Sequence, residues 1–205
     1  MMLLIITPLM FACGDEGSRS VNPIDLENFE FPNPDLPVVL IDIEDHGQIL
    51  AELYPEYAPI TVHNFIELAE DGFYDGLTFH RIMNRFMIQG GCPDGTGMGG
   101  SGRNIVGEFD SNGFENPLQH TAGTLSMARN MVSNDSASSQ FFIMHANARH
   151  LDGDYAAFGQ VIYGMGVIDS VIDSVTEGPN GAVEPEDQPV IISIRLVNGS
   201  QIELD

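Results

Sequence analysis

The chain has 205 residues, room for one ordinary domain and a short extension, and with 43% of them hydrophobic a folded core is expected. Its 30 acidic and 7 basic residues leave a formal charge of −23, and every basic residue is an arginine. That surface repels phosphate backbones and excludes nucleic acid as an expected partner; the acidity itself reads as a device for solubility, and an arginine set among apolar residues stands out against it.

Met1 to Ala12, MMLLIITPLMFA, is apolar and uncharged, and too short to cross a bilayer as a helix, which takes about 20 residues. Its length suits the apolar region of a signal peptide, and Ala12 directly before Cys13 resembles the lipobox of bacterial lipoproteins. Residues 1–12 are therefore expected to be a signal peptide and Cys13 the lipidated residue. The protein would then be exported and anchored to the bilayer, on the periplasmic or extracellular face of a bacterial membrane. Residues 13–36, rich in prolines, asparagines and acids without a sustained period, read as a flexible tether, with Phe29 and Phe31 available to dock on the domain of residues 37–205. With Cys13 so used, Cys92 has no partner, and two cysteines make neither a disulfide framework nor a Cys-x-x-Cys metal site.

Regular structure begins at Val38. VVLIDI and QILAELY are β-rich runs separated by Glu44-Asp45-His46-Gly47, which predicts a hairpin. Val62, Phe65, Ile66 and Ala69 fall at helical spacing, opened by Pro59 and closed by Gly72, and Ile168, Val171, Ile172 and Val175 repeat that spacing. The other runs, LTFHRI, FMIQGG, GTLSMA, SQFFIMH, AAFGQVI and VIISIRLV, are short and strand-like. Many short strands, glycine-rich turns and two helices predict a mainly β fold of barrel type.

The run from Gln89 to Gly102, QGGCPDGTGMGGSG, contains the spacing G-x-G-x-x-G from Gly95 to Gly100. A nucleotide-binding loop needs a helix to follow it, and SGRNIVGEFDSNGF has no helical period; a phosphate-binding P-loop needs a lysine, and the chain has none. The glycines have another purpose. The serine-rich SNDSASSQ lacks the Gly-x-Ser-x-Gly elbow of a hydrolase, and His46, His63, His120, His145 and His150 show no metal-ligand spacing.

Around the glycines, Arg81, Met87 and Gln89 share one strand parity if their runs are continuous, so one face carries a cation, a thioether and an amide. Gln140 and Phe142 repeat an amide beside an aromatic ring. These blocks closely resemble the cyclophilins, the peptidyl-prolyl cis–trans isomerases. The family pattern FHR-x4-FM-x-QGG is matched from Phe79 to Gly91, and the LSMA, SQFFI, LDG and FG blocks follow in family order, so the resemblance runs from about Val38 to Leu204.

The resemblance implies an eight-stranded antiparallel closed β-barrel capped by two α-helices. It also implies a monomer with no cofactor and no metal, acting on proline-containing polypeptides. Arg81 would be the catalytic arginine; Phe86, Met87, Phe142 and Leu151 would hold the substrate proline. Gln89 and Gln140 would hydrogen-bond the substrate backbone beside a rim of Ala128 and Arg129. Tyr155 stands where many members have a histidine, and keeps an aromatic wall. His150 replaces a tryptophan common in eukaryotic members, which implies weak inhibition by cyclosporin, and Arg129 replaces an asparagine whose contact is mainly through backbone. A proline-peptide binding module, or a holding chaperone with little turnover, would use the same groove.

Overall fold

The computed structural model describes residues 23–198. The expected signal peptide and Cys13 lie outside them. VVLIDI alternates between full and partial burial as strand β1 (Val38–Ile43), and the turn around Asp45 leads into β2 (Gly47–Leu53) in full antiparallel register. Helix α1 (Pro59–Glu70) follows, then β3 (Thr78–Met83), β4 (Met87–Cys92), β5 (Thr124–Met127), β6 (Phe141–Met144), β7 (Ala157–Tyr163), helix α2 (Met165–Ser174) and β8 (Ile191–Asn198). The strands form one antiparallel sheet in the order β3-β4-β6-β5-β7-β2-β1-β8.

The sheet is an open, curled half-barrel rather than the closed barrel expected. Its edges, β3 and β8, meet at one isolated bridge, Thr78 with Val190, flanked by Ile191 N–H donating to Leu77 O at 2.7 Å and Phe79 N–H to Pro189 O at 3.0 Å. Pro189 has no N–H to give a ladder, and the chain before it folds into two 3₁₀ turns, Pro179–Gly181 and Pro185–Asp187, instead of extending β8 along β3. That irregular segment still covers the β3 edge, with Val183 N–H donating to His80 O at 3.1 Å.

Helix α1 buries Val62, Phe65, Ile66 and Ala69, the positions its spacing singles out, and α2 buries Ile168, Val171 and Ile172. Phe65 lies at the centre of the core, with the rings of Tyr74, Phe141 and Phe158 within 5.2 Å of its own centroid. Pro59 supplies a preset φ at the start of α1, but its N-cap, Ala58, has no side-chain acceptor. The acceptor comes from a distant loop. Fully buried Glu108 takes the N–H of Ile60 at 3.0 Å and of Thr61 at 2.8 Å, which offsets the cost of burying its carboxylate and complements the helix dipole.

Residues 23–36 run along β2, β7 and β8. Ile24 N–H donates to Gln48 at 2.8 Å, Asn33 N–H to Glu52 at 3.1 Å, and Asn198 Nδ2 to the carbonyls of Pro34 and Leu36 at 3.0 Å. Phe29 meets Tyr163 edge-on, with centroids 6.0 Å apart. Ile24, Leu26, Phe29, Phe31 and Leu36 are half-buried while Asp25, Glu27, Glu30 and Asp35 face solvent.

His80 is buried with neither ring nitrogen hydrogen-bonded. Burial, helped by the Arg81 charge, pushes its pKa down to about 4, so the ring is neutral at pH 7. Between the ordinary value of 6.5 and about 4 the unfolded chain binds this proton and the native state does not. Stability to denaturant is therefore fully present well above pH 6.5 and declines as pH falls toward 4, by on the order of 3 kcal/mol. His80→Leu should flatten that decline without loss at neutral pH; a variant that declines as steeply as the wild type contradicts the assignment.

Candidate active site

Two compensating irregularities in the β3–β4 ladder build the site. Thr78 pairs with Cys92 and Phe79 with Gly90, which leaves Gly91 as an extra residue on β4; Arg81 then pairs with Gln89, which leaves His80 extra on β3. The register is restored, and Arg81 comes to lie directly opposite Gln89. Gly91 is required at its bulge: its φ is +81°, and a Cβ there would meet Ser139 O at 2.5 Å. Across the next ladder Gln89 faces Phe142 and Met87 faces Met144. The same face therefore carries Arg81, Gln89, Met87 and Phe142, as the strand parity predicts.

Arg81 is held from several sides. Its Nη1 donates to Gln89 Oε1 at 3.2 Å, its Nε to Asn180 O at 2.9 Å, and its Nη2 to Asn180 Oδ1 at 3.2 Å and Met83 Sδ at 3.2 Å. The guanidinium carbon stands 5.9 Å from the Phe86 ring centroid. Among the described residues no carboxylate forms an ion pair with it, whereas Arg103, Arg149 and Arg195 each have one. Burial lowers its pKa from the ordinary arginine value, with Tyr155 acting in the opposite sense; the group remains a cation at any physiological pH. Its charge is thus fixed in direction and left uncompensated.

A chain of amides runs outward from it. Gln89 Nε2 donates to Gln140 Oε1 at 2.9 Å, and Gln140 Nε2 donates to the carbonyls of Gly97 and Gly99 at 2.9 and 2.7 Å. This orientation answers what the glycines do. Gly97, at φ +78°, packs over the His80 ring and turns its carbonyl to Gln140. Gly97, Gly99 and Gly100, with Gln140, Ala128 and Asn130, line an open groove of about 450 Å³. The loop both reverses the chain and borders the groove. Cys92, buried beneath it, receives the Gly99 N–H at 3.3 Å; burial pushes its thiol pKa up, but the amides of Gly99, Asp94, Thr96 and Gly97 outweigh that and bring it below the ordinary value.

Beside the groove lies a smaller pocket of about 120 Å³ lined by Arg81, Phe86, Met87, Gln89, Ala128, Arg129, Phe142, Leu151 and Tyr155. Its floor is an apolar cluster separate from the main core, in which Met87, Phe142 and Leu151 are buried with Met144 and Ala148. Phe86 is fixed by the turn that precedes β4: its carbonyl accepts the N–H of His145 at 2.9 Å, and His145 Nδ1 accepts the N–H of Arg85 at 2.9 Å. His150 stacks on Phe86, at 6.0 Å and 20°. Arg129 contributes more than backbone, since its guanidinium lies 4.8 Å from the Tyr155 centroid and 5.3 Å from that of Phe109. Every residue of the domain expected to act on, hold or border the substrate borders the pocket or the groove, Gln140 only the groove.

Sequence reasoning missed Asn180, which grips Arg81 from the segment covering the β3 edge. The signal was present: Pro179-Asn180-Gly181 is a turn sequence, and Asn180 adopts φ +56°, which asparagine tolerates. What no pattern showed was that this turn, far along the chain, returns to β3.

A family model described as cyclophilin type peptidyl-prolyl cis-trans isomerase/CLD matches residues 38–196. Peptidyl-prolyl cis-trans isomerase B of Bacillus subtilis (strain 168) is 51% identical over 123 residues, covering 60% of this chain and 82% of that protein. A peptidyl-prolyl cis-trans isomerase of Synechococcus elongatus is 49% identical over 116 residues, 57% of this chain and 74% of that one. In three dimensions, a crystal structure of a Cryptosporidium parvum cyclophilin type peptidyl-prolyl cis-trans isomerase, in the presence of the dipeptide Ala-Pro, aligns with a TM-score of 0.70 at 28% identity, covering 79% of this chain and 99% of that chain.

Asn180→Gly removes one acceptor from Arg81 while suiting the left-handed backbone. Turnover of an X–Pro peptide should fall roughly 3- to 10-fold, the worth of about one hydrogen bond, with peptide affinity nearly unchanged. Unaltered turnover would mean that Arg81 does not depend on this contact.

Proposed function

The chain belongs to the cyclophilin-type peptidyl-prolyl cis–trans isomerases, and we propose that it accelerates rotation about X–Pro bonds with Arg81 as the catalytic group. The observation that carries this assignment is a half-buried guanidinium on the wall of a small pocket, held by neutral groups and without a carboxylate partner among the described residues. The barrier to rotation is the partial double-bond character of the amide, roughly 18–20 kcal/mol. Twisting returns a lone pair to the prolyl nitrogen. A guanidinium that donates to that nitrogen binds the twisted amide better than the planar one, and only such a difference lowers the barrier. No bond is broken and no proton is transferred, so neither a nucleophile nor a metal is called for.

One donor is not enough. Shortening an uncatalysed time of about 100 s to about 10 ms takes a factor of roughly 10⁴, or about 5.5 kcal/mol. A hydrogen bond from a charged group supplies roughly 1.5–3 kcal/mol. The rest is assigned to positioning. Phe86, Met87, Phe142, Leu151 and Tyr155 grip the proline ring, Gln89 and Gln140 hold the peptide backbone, and Ala128 and Arg129 form the rim, all in a partly dehydrated groove. The substrates are exposed X–Pro segments of unfolded or flexible polypeptides, and the enzyme acts as a monomer whose sheet approximates a closed barrel through the Thr78–Val190 seam.

The apolar stretch Met1–Ala12 followed by Cys13 supports export and lipid anchoring, so the clients would be proteins folding outside the cytoplasm. The stacked His150 in place of tryptophan supports weak cyclosporin inhibition.

Two experiments test these roles. In an X–Pro peptide assay the wild type should accelerate isomerisation and Arg81→Ala should lose roughly 10- to 150-fold in kcat/KM while still binding peptide. A wild type that binds proline peptides without turnover would favour the holding-chaperone reading instead. Cys13→Ser should move the protein from the membrane fraction to the soluble one; a wild type already soluble in its native host contradicts the anchor.

A further inference from the structure

His120 is fully buried, and rotation about an X–Pro bond does not call on it directly. Both of its ring nitrogens are engaged. Nδ1 lies 3.1 Å from Asp152 Oδ1, and Nε2 lies 3.0 Å from Ser126 Oγ. Asp152 is ionised: burial raises its pKa, but the His120 backbone N–H, the His120 ring and Arg149 outweigh that and hold it below the ordinary value. A carboxylate only accepts, so Nδ1 carries the proton, Nε2 is bare, and the Ser126 hydroxyl donates to it. Asp152 is oriented independently of the ring, by the His120 backbone N–H at 2.7 Å and Arg149 Nε at 2.8 Å.

This is the hydrogen-bond order of a nucleophilic triad, carboxylate to imidazole to hydroxyl, but it is sealed. Ser126 is fully buried, and its cross-strand neighbour is Phe142, a wall of the pocket. No substrate carbonyl reaches it, so the relay has no acyl-transfer role.

What the ring does touch is the pocket. It stacks on Phe142 at 5.9 Å and 21°, and meets Tyr155 edge-on at 6.4 Å and 80°, while those two rings meet each other at 6.0 Å. The His120 backbone carbonyl accepts the N–H of Ala148 at 2.8 Å, and the turn Arg149–Leu151 that follows delivers Leu151 to the pocket immediately before Asp152. Phe142 and Tyr155 are thus referenced directly to one side chain, whose two hydrogen bonds fix its rotation, and Leu151 is tied to it through the adjacent Asp152.

We infer that His120 is a positioning residue for the isomerase reaction, locking the proline pocket from behind through Phe142, Tyr155 and Asp152. The inference rests on the isomerase reading above. Burial, with His150 adding to it, lowers the His120 pKa against the effect of Asp152, which agrees with a neutral ring at pH 7.

The test compares His120→Leu, which abolishes both hydrogen bonds, with His120→Gln, whose amide can donate to Asp152 and accept from Ser126. At a temperature where near-ultraviolet circular dichroism shows both variants folded, the leucine variant should lose roughly 10- to 100-fold in kcat/KM, the scale of a wall displaced by about 1 Å, and glutamine should recover most of it. A folded leucine variant with wild-type kcat/KM, or a glutamine variant that loses as much as leucine, overturns the inference. Should the leucine variant not fold, the unmodified protein still decides. Long-range ¹H–¹⁵N spectra must show the Nδ1–H tautomer of His120, and an Nε2–H tautomer or an imidazolium at neutral pH overturns it. An inactive wild type would overturn the isomerase reading itself, a result distinguishable from any of these.

Discussion

The site depends on the register that sets Arg81 opposite Gln89 and Gln89 opposite Phe142. A slip of one residue anywhere in these ladders would turn the guanidinium toward the core and His80 toward solvent, because side chains alternate along a strand. The register is not regular, however. It is restored only because the extra residue at Gly91 on one strand is cancelled by the extra residue at His80 on the other. The left-handed conformation of Gly91 and the burial of an unpartnered His80 are the local costs of that arrangement, and the aromatic core around Phe65 offsets them.

Arg81 is then a solution to an electrostatic problem peculiar to this chain. In a molecule of net charge −23, Arg103, Arg149 and Arg195 each pair with a carboxylate, whereas among the described residues Arg81, like Arg85 and Arg129, forms no ion pair. Arg81 is instead held by neutral groups, the amides of Gln89 and Asn180, a backbone carbonyl and a thioether. Neutral partners orient the fork without cancelling its charge, and in the proposed mechanism that leaves the charge for the twisting amide. The surface acids act at longer range and are screened over about 8 Å at physiological ionic strength. The half-closed sheet matters here as well. Where β8 fails to run along β3, the covering turn has room to bring Asn180 onto the guanidinium.

Much of this was legible in the sequence and the rest was not, for identifiable reasons. Each strand-like run became a strand and both helical spacings became helices, because period-2 and period-3.6 patterns report which face is buried. The pocket residues were recoverable because they sit in ordered blocks with a family resemblance. The open seam was hidden, since it turns on a single missing N–H at Pro189 and on local 3₁₀ turns. Glu108 capping α1 and Asn180 gripping Arg81 were hidden too, because both contacts join segments remote in sequence, across 48 and 99 residues. His120 was visible as a residue and dismissed for lacking metal-ligand spacing; its partners, Ser126 and Asp152, are brought to it only by the curl of the sheet and the turn after β6.

The central claim is that a pre-aimed guanidinium fork, not positive charge alone, lowers the barrier. Arg81→Lys keeps the charge and loses the fork. Exchange spectroscopy on a saturating X–Pro peptide reports the cis–trans rate on the enzyme separately from the dissociation constant. The expected on-enzyme rate is lower by roughly 10- to 100-fold, with affinity within a few-fold of wild type. A lysine variant that exchanges the bound peptide as fast as the wild type would contradict it.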